Sequence, residues 1–196
     1  MKIESIKNRD LKMLVQIHVE NFENFFLTNL GFDFLLIYYE ALLSMKESIA
    51  LGLYYKSKLV GFSIGVTISS GINKKILKSN FKKFLLVGVK IIICNPKIIF
   101  RLLRGFNKKE LIKNDFTGEL LSISIDKKHR NNGYGKTLLS AFEKEMKAKG
   151  MKYLSLTTDF SNNKSVNQFY SSNGYLIQST FQLSRDRIMN RYIKEI

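Results

Sequence analysis

One glycine-rich segment constrains this chain more than any other part of its sequence. It reads RNNGYGKT from Arg130 to Thr137, after a strand-like run and before a helical pattern beginning near Thr137. A helix N-terminus leaves backbone N–H groups unpaired and carries a partial positive charge, and glycines let a bulky anion approach that backbone. The segment therefore predicts a phosphate-binding loop at a strand-to-helix junction, with Arg130 and Lys136 as counter-charges.

Two other phosphate-binding glycine motifs fail on spacing. A dinucleotide-binding fingerprint needs a glycine three residues after Gly135, where this chain has Leu138. A P-loop needs a glycine five residues before Gly135, where it has Arg130. A glycine turn that only caps a helix is common, but R-x-x-G-x-G at this kind of junction favours a binding function.

Hydrophobic periodicity over the rest of the chain predicts a mixed α/β fold. Apolar residues three and four apart predict helices around 11–22 and 32–42, and two β-rich runs, 49–55 and 59–68, predict a hairpin. Later segments predict, in order, a strand at 118–125, a helix ending at Gly150, a strand at 153–158, a helix at 165–172 and a strand at 175–183.

Length and cysteine content bound the organisation of the chain. Its 196 residues, 45% of them hydrophobic, predict one domain over 1–196. The single cysteine, Cys94, cannot form an internal disulfide, and no signal-peptide pattern is present, so we expect a cytoplasmic setting. The longest apolar run, Phe84 to Cys94, contains Lys90 and is too short to cross about 30 Å of hydrocarbon.

A basic segment from Gly71 to Asn114 interrupts the pattern and predicts a helical insertion, with two helices flanking the only proline, Pro96. It carries twelve Lys/Arg against Glu110 alone, and the whole chain has a net charge of +16. That charge favours anionic partners such as nucleotide-like cofactors, nucleic acid or acidic lipid, without choosing among them. Peripheral membrane contact, a lid over a substrate site and a homo-oligomer contact are all open for this segment.

The glycine loop resembles the acetyl-CoA loop, R/Q-x-x-G-x-G/A, of the GNAT superfamily of N-acetyltransferases. A second match lies downstream, where the family has N-x-x-A-x-x-F-Y followed by G-F or G-Y. This chain supplies Asn163, Val166, Phe169, Tyr170 and Gly174-Tyr175. Val166 stands in place of the usual alanine, a change that concerns local helix packing.

The resemblance implies a GNAT fold: a central, mostly antiparallel mixed sheet flanked by helices, with the insertion between strands 3 and 4 and a V-shaped opening beside the strand ending at Ile125. It implies acetyl-CoA as cosubstrate and no metal. Backbone groups before the loop would pair with pantetheine, the loop would hold the pyrophosphate, and the Tyr170 hydroxyl would protonate the departing thiolate. The implied cofactor-binding residues are Ile123, Ser124, Ile125, Arg130, Asn131, Asn132, Gly133, Tyr134, Gly135, Lys136, Thr137 and Asn163.

Direct acetyl transfer to an amine also needs a proton acceptor. Glu119 is the first candidate, because period-two alternation puts it on one strand face with Leu121, Ile123 and Ile125; the alternative is a solvated strand-end carboxylate. Asp159 is the second candidate and His18 the third. Cys94 lies outside the recognisable motifs, and the reaction needs no enzyme nucleophile.

The acceptor is less constrained than the reaction. The phrase from His18 to Tyr39 resembles acetyltransferases encoded with bacterial surface-polysaccharide genes, which suggests a small-molecule primary amine such as a nucleotide-linked amino sugar, with Phe22, Phe25 and Phe26 lining its pocket. A protein or peptide acceptor is an alternative, although relatives that acetylate protein N-termini often have glutamate where this chain has Thr158. A non-catalytic module that binds an anionic membrane or nucleic acid is a further alternative; nucleic acid is disfavoured because the aromatic residues fall at core-like spacings.

Overall fold

The computed structural model describes residues 1–23, 25–67, 71–94, 116–184 and 187–196, with side chains for all of these except 73 and 88–94. The strands are β1 (Lys2–Ser5), β2 (Ser48–Tyr55), β3 (Lys58–Val66), β4 (Thr117–Ile125), β5 (Tyr153–Asp159), β6 (Leu176–Ser184) and β7 (Arg187–Glu195). The helices are α1 (Leu11–Asn21), α2 (Phe32–Leu43), α3 (Ile72–Ser79), α4 (Phe81–Cys94), α5 (Tyr134–Ala148) and α6 (Lys164–Ser172).

The strands form one seven-stranded sheet in the order β1-β2-β3-β4-β5-β7-β6. Neighbouring strands run antiparallel except β4 and β5, which are parallel. The mostly antiparallel mixed sheet that the sequence predicts is therefore confirmed, as is the position of a helical insertion, α3 and α4, between β3 and β4.

Helices cover both faces of the sheet. On the first face, α1 and α2 pack on β3 through a core in which Leu14, Leu35 and Phe62 are fully buried, and α3 and α4 extend this layer. On the second face, α5 packs on the sheet through Leu138 and Phe142, in a cluster that also contains residues of α6 and of β2, β3, β4, β5 and β7. The two layers place the helix after the glycine loop and the helix pair α1–α2 on opposite sides of β4.

The strands β4 and β5 pair over a short distance only. Their ladder joins Thr117–Leu120 to Tyr153–Leu156 and ends there, although β4 continues along β3 to Ile125 and β5 continues along β7 to Asp159. Where the ladder ends, β4 has a bulge: Leu120 pairs with Gly65 and Ser122 with Ile64, so that Leu121 is the extra residue. The strands thus diverge into an opening, which we call the cleft, between residues 121–125 of β4 and 157–159 of β5.

The predicted elements are confirmed with small shifts. The β2–β3 hairpin turns over Lys56 and Ser57, both with positive φ (47° and 64°). Helix α5 begins at Tyr134, three residues earlier than its periodicity suggests, which brings Gly135 into its first turn. The sequence analysis missed β1, which has only four residues, and β7, where Met189 and Asn190 are both buried and the alternation is lost.

The basic insertion is described in part. Helices α3 and α4 confirm helical structure before Pro96, whereas Pro96 itself and the predicted helix after it lie outside the described residues. Among the helices described, none is long and apolar enough to cross a membrane.

Candidate active site

The glycine loop adopts the backbone that an anion site at a helix N-terminus requires. Asn131 (φ 61°) and Gly133 (φ 74°) both have left-handed conformations, and α5 follows directly. Hydrogen bonding of α5 to its preceding turn begins with the Thr137 N–H, which donates to the Gly133 carbonyl at 3.1 Å. The N–H groups at the start of the helix precede this bond and point out of its first turn. The predicted phosphate loop therefore has the expected local structure.

The second glycine of the motif lies against α6. A Cβ added to Gly135 would lie 3.6 Å from the Phe169 ring, an ordinary van der Waals contact. Glycine or alanine fits here, in agreement with the G/A choice at this position of the motif, and larger side chains would press on Phe169. The loop and the helix that carries Tyr170 are thus in direct contact.

Arg130 connects the loop to two other elements. Its Nε donates to the Ile125 carbonyl at 3.2 Å, and its Nη2 donates to Asn21 Oδ1 at the end of α1. The guanidinium therefore holds the loop to the end of β4, while the ammonium-bearing side chain of Lys136 is exposed on α5. Both positive charges lie at the loop, and Arg130 also has a positioning role that the sequence did not indicate.

The strand before the loop offers backbone groups to the cleft. Beyond Leu120, the edge of β4 that would face β5 has no ladder, and the segment Ile123 to Ile125 pairs only with β3. An extended ligand with amide groups can form hydrogen bonds to such an edge, because each residue presents an N–H and a carbonyl. The cleft and the loop together fit a long ligand that has amides at one end and phosphates at the other, as coenzyme A has.

Tyr170 lies on the second face of the sheet, 6% exposed, on α6. Its ring contacts those of Phe169, Tyr175 and Tyr192, with centroid separations between 5.3 and 5.8 Å. Burial raises the pKa of the Tyr170 hydroxyl well above its usual range. The hydroxyl is therefore protonated at neutral pH and can act as a proton donor.

Asn163 holds the end of β5 to the start of α6. Its Nδ2 donates to Thr158 Oγ1 at 2.7 Å and to the Asp159 carbonyl at 3.2 Å. One turn further, Asn167 donates to the same Asp159 carbonyl at 3.0 Å. These amides fix the β5 side of the cleft. Thr158 is buried and accepts one of their hydrogen bonds.

The bulge in β4 changes the predicted environment of Glu119. Glu119 pairs with Val66 and therefore faces the first face, whereas Ile123 and Ile125 pair with Ser63 and Gly61 and face the second. The prediction that Glu119 shares a face with these two isoleucines is wrong, because the extra residue at Leu121 reverses the alternation.

On the first face, Glu119 lies near α2. Burial raises the pKa of the Tyr38 hydroxyl, and the negative charge of Glu119 raises it further. Ser122 and Ser124, which pair with Ile64 and Phe62, belong to the same face as Glu119. This part of β4 therefore presents a carboxylate and two hydroxyls towards the helices α1 and α2.

His18 joins this polar group from α1. It is 4% exposed, and its Nδ1 lies 2.7 Å from the Tyr39 hydroxyl, which also forms a hydrogen bond with Ser122. Burial lowers the pKa of His18 to about 4, so the ring is neutral at neutral pH. The sequence analysis singled out His18 but missed Tyr39 and Ser122; polar residues at alternate positions of an otherwise apolar strand were the available signal for Ser122.

The second base candidate, Asp159, is held in an ion pair. Arg187 Nε and Nη2 donate to its two carboxylate oxygens at 2.5 and 3.0 Å. The same guanidinium lies 5.0 Å from the centroid of the Phe25 ring. The Phe22 ring in turn lies 5.1 Å from that of Phe25 and 4.7 Å from that of His18, measured between centroids. The aromatic connection from α1 to α2, which contains Phe22 and Phe25, is thus linked through Arg187 to the Asp159 carboxylate at the end of β5.

Metal ligands are not clustered in the parts of the chain that the structure describes: no group of three or more His, Cys, Asp or Glu side chains is placed to hold an ion. Cys94 ends α4, a helix packed on α2 rather than on the cleft. The candidate site therefore consists of the loop, the cleft, Tyr170 and the polar group around Glu119.

A sheet that opens between two parallel strands, with a glycine-rich helix N-terminus beside the opening, is typical of transferases that use an acyl-coenzyme A. Residues 11–175 match the Acetyltransferase (GNAT) family, and the chain belongs to that family of acyltransferases. No curated protein sequence matches the chain.

Solved structures agree with this fold assignment. An aminoglycoside 6′-N-acetyltransferase complexed with coenzyme A is 15% identical with a TM-score of 0.65, covering 100% of this chain and 97% of its own. A ribosomal-protein-alanine N-acetyltransferase from Brucella melitensis is 15% identical with a TM-score of 0.64, covering 100% of both chains. A PaiA N-acetyltransferase from Thermoplasma acidophilum, in complex with coenzyme A, is 18% identical with a TM-score of 0.60, covering 100% of this chain and 98% of its own.

Proposed function

We propose that this acyltransferase moves the acetyl group of acetyl-CoA directly to a primary amine of a small molecule. One observation carries the proposal: a proton-donor candidate on α6 and a proton-acceptor candidate on β4 lie on opposite faces of the sheet. Tyr170 belongs to the second-face cluster, and Glu119 lies on the first face beside α2. An amine that enters from the first face and a thiol that leaves on the second would each meet the group it needs.

The cofactor-binding residues are proposed from the loop and the cleft. The backbone of Asn131 to Lys136 and the side chains of Arg130 and Thr137 would hold the pyrophosphate, the β4 edge from Ile123 to Ile125 the pantetheine, and Asn163 the arm beside β5. Acetyl-CoA, when bound, supplies an activated acetyl group and a thiol leaving group. The +16 charge of the chain favours such an anionic ligand.

Two side chains would move protons. The Tyr170 hydroxyl, which is protonated at neutral pH, would donate to the sulfur of the leaving thiolate. Glu119 would accept a proton from the attacking amine, directly or through water. Glu119 is preferred to Asp159 and His18 because it lies beside α2 on β4, the strand that continues along one side of the cleft.

The acceptor pocket is proposed on the first face, next to the aromatic connection from α1 to α2. Phe22, Phe25 and Phe26 are only partly exposed, and Phe25 lies under the Arg187 guanidinium. Aromatic rings and a carboxylate suit a ring-bearing amine, and an amino sugar, free or nucleotide-linked, combines these features. A protein N-terminus remains the alternative acceptor.

The experiment has two stages in one preparation. Acetyl-CoA is titrated into the protein in a calorimeter, and thiol release is then followed with amino sugars, nucleotide-linked amino sugars, polyamines and short peptides. We expect binding of acetyl-CoA and turnover with a sugar amine. Turnover with peptides alone would identify a peptide, rather than a small molecule, as the acceptor. Absence of acetyl-CoA binding would overturn the assignment of the glycine loop as a phosphate-binding site.

A further inference from the structure

Helix α4 has a large apolar surface exposed to solvent. Phe81, Leu85 and Leu86 are 63%, 54% and 77% exposed, and Lys82 lies among them; we call these four residues the outer face of α4. The opposite side of the helix is buried, where the Phe84 ring lies 5.0 Å from that of Phe34 on α2. The outer face is therefore not needed to attach α4 to the domain.

The surroundings of the outer face are uniformly basic. The segment Ile72–Cys94 contains no Asp or Glu. Lys75 and Lys83 pair with Glu47 and Glu40 at 2.5 and 2.7 Å, which anchors the helices to the domain. Three further lysines, Lys74, Lys78 and Lys82, are exposed and form no ion pair with the described residues. Their charge is available to an anionic partner.

We propose that the outer face of α4 docks the protein on an anionic lipid surface. Phe81, Leu85 and Leu86 would enter the boundary between headgroups and acyl chains, and the lysines of α3 and α4 would contact the lipid phosphates. This inference goes beyond acetyl transfer and does not depend on it.

Two observations favour lipid over other occupants, and the length of α4 is compatible with it. Large apolar side chains beside lysines, with no acidic residue among them, are typical of helices that lie in a membrane interface. A second copy of this chain would bring another +16 charge to the same basic surface. At 14 residues, or about 21 Å, α4 can lie on a bilayer but cannot cross it.

The test is flotation of the full chain with vesicles of phosphatidylcholine alone or of phosphatidylcholine mixed with phosphatidylglycerol. We expect association with the mixed vesicles only. The double variant Leu85→Ser/Leu86→Ser should weaken it at least about tenfold, because two apolar side chains no longer enter the interface. The triple variant Lys74→Gln/Lys78→Gln/Lys82→Gln should weaken it at low salt.

A matched control removes exposed apolar residues elsewhere. Leu176 and Ile177 on β6 are 73% and 53% exposed, and Leu176→Ser/Ile177→Ser should leave vesicle association unchanged. The melting temperature of the Leu85→Ser/Leu86→Ser protein should match that of this control, because both pairs are solvent-exposed in the folded chain.

Four outcomes would overturn the proposal. Equal flotation with neutral vesicles would remove the role of lipid charge, and undiminished flotation of Leu85→Ser/Leu86→Ser would remove the role of the outer face. A larger fall in melting temperature than the control shows, or dissociation of an oligomer, would mean that protein covers this face. Binding of a single-stranded oligonucleotide without vesicle association would identify nucleic acid as the partner.

Discussion

The Tyr39 hydroxyl lies 2.7 Å from Nδ1 of His18, and both side chains are almost completely buried between α1, α2 and the first face of the sheet. Ser122 on β4 forms a hydrogen bond with the same hydroxyl. If Ser122 donates to Tyr39, Tyr39 donates to Nδ1 and the imidazole proton lies on Nε2. A neutral histidine thus connects the helix pair to the strand that borders the cleft.

Burial of this histidine predicts a pH-dependent stability. The pKa of His18 falls from its usual 6.5 to about 4 on folding, so the unfolded chain binds a proton that the folded chain does not. Above pH 6.5 the histidine is neutral in both states, and folding carries no proton-release penalty. As the pH falls from 6.5 towards 4, the unfolded chain alone binds the proton, so the free energy of unfolding decreases. We expect a loss of about 3 kcal/mol across this window from His18, measured by urea unfolding at several pH values.

A double variant isolates this contribution from the carboxylates that titrate in the same range. His18→Leu/Tyr39→Phe removes both hydrogen-bonding partners and should flatten the pH dependence between 6.5 and 4. Tyr39→Phe alone keeps the histidine and its burial, so this variant is the control and should keep most of the wild-type slope. An unchanged slope in the double variant would contradict the assignment.

Tyr170→Phe should separate chemistry from cofactor binding. The ring packs among Phe169, Tyr175 and Tyr192, and phenylalanine keeps these contacts while removing the proton donor. We expect kcat to fall by about 10²–10⁴ with acetyl-CoA affinity nearly unchanged, measured by thiol release and calorimetry. Tyr54→Phe removes a hydroxyl that donates to Asp10 and should leave both unchanged. Equal loss of kcat and affinity in Tyr170→Phe would indicate a packing role.

Glu119→Gln should mainly lower catalytic rate, whereas Asp159→Asn should mainly lower folding stability. The first variant should lower kcat, measured by thiol release, by about 10²–10⁴. The second should cost about 1–3 kcal/mol of folding stability, because the Arg187 guanidinium loses a charged partner. If Asp159→Asn were stable but inactive, Asp159 rather than Glu119 would be assigned as the proton acceptor.

The sequence predicts the elements from β4 to β6 well because their signals are local. A glycine with positive φ at Gly133 and a helix immediately after it are features of neighbouring residues, so the loop and α5 follow from the pattern. The contact of Gly135 with Phe169 is consistent with the tolerance for glycine or alanine there. These features need no knowledge of distant parts of the chain.

Contacts between segments that are far apart in the sequence could not be predicted from local patterns. The bulge at Leu121 depends on how β4 pairs with Gly65 and Ile64, so alternation alone put Glu119 on the wrong face. The pairing of Asp159 with Arg187 joins β5 to β7, a strand the alternation did not reveal. Most of the candidate cofactor site was therefore predictable, and most of the acceptor side was not.

The two loop glycines should respond differently to alanine. Gly133 has φ 74°, a conformation that costs an alanine about 1 kcal/mol, so Gly133→Ala should lower the free energy of unfolding by that amount. Gly135→Ala adds a methyl at ordinary contact distance from Phe169 and should be nearly neutral. Urea unfolding of both variants tests this order, and a more damaging Gly135→Ala would contradict the described loop conformation.

Gly65 should be essential to the pairing beside the bulge. A Cβ at this position would lie 2.2 Å from the Glu119 carbonyl oxygen, a backbone atom that cannot move aside independently. We expect Gly65→Ala to cost about 1–3 kcal/mol or more. Gly118→Ala, whose Cβ would meet the flexible end of Met146 at 2.8 Å, should cost less, and the reverse order in thermal unfolding would argue against the bulge.

The four residue pairs between β4 and β5 are the whole of the ladder that connects β1–β4 to β5–β7 within the described sheet. Beyond them, β4 and β5 do not pair with each other, although each continues along its other neighbour. Under the proposed function, the pantetheine arm of acetyl-CoA would lie along this gap and take the place of the absent ladder. Cofactor binding would then join the two halves of the sheet, and product release would separate them again.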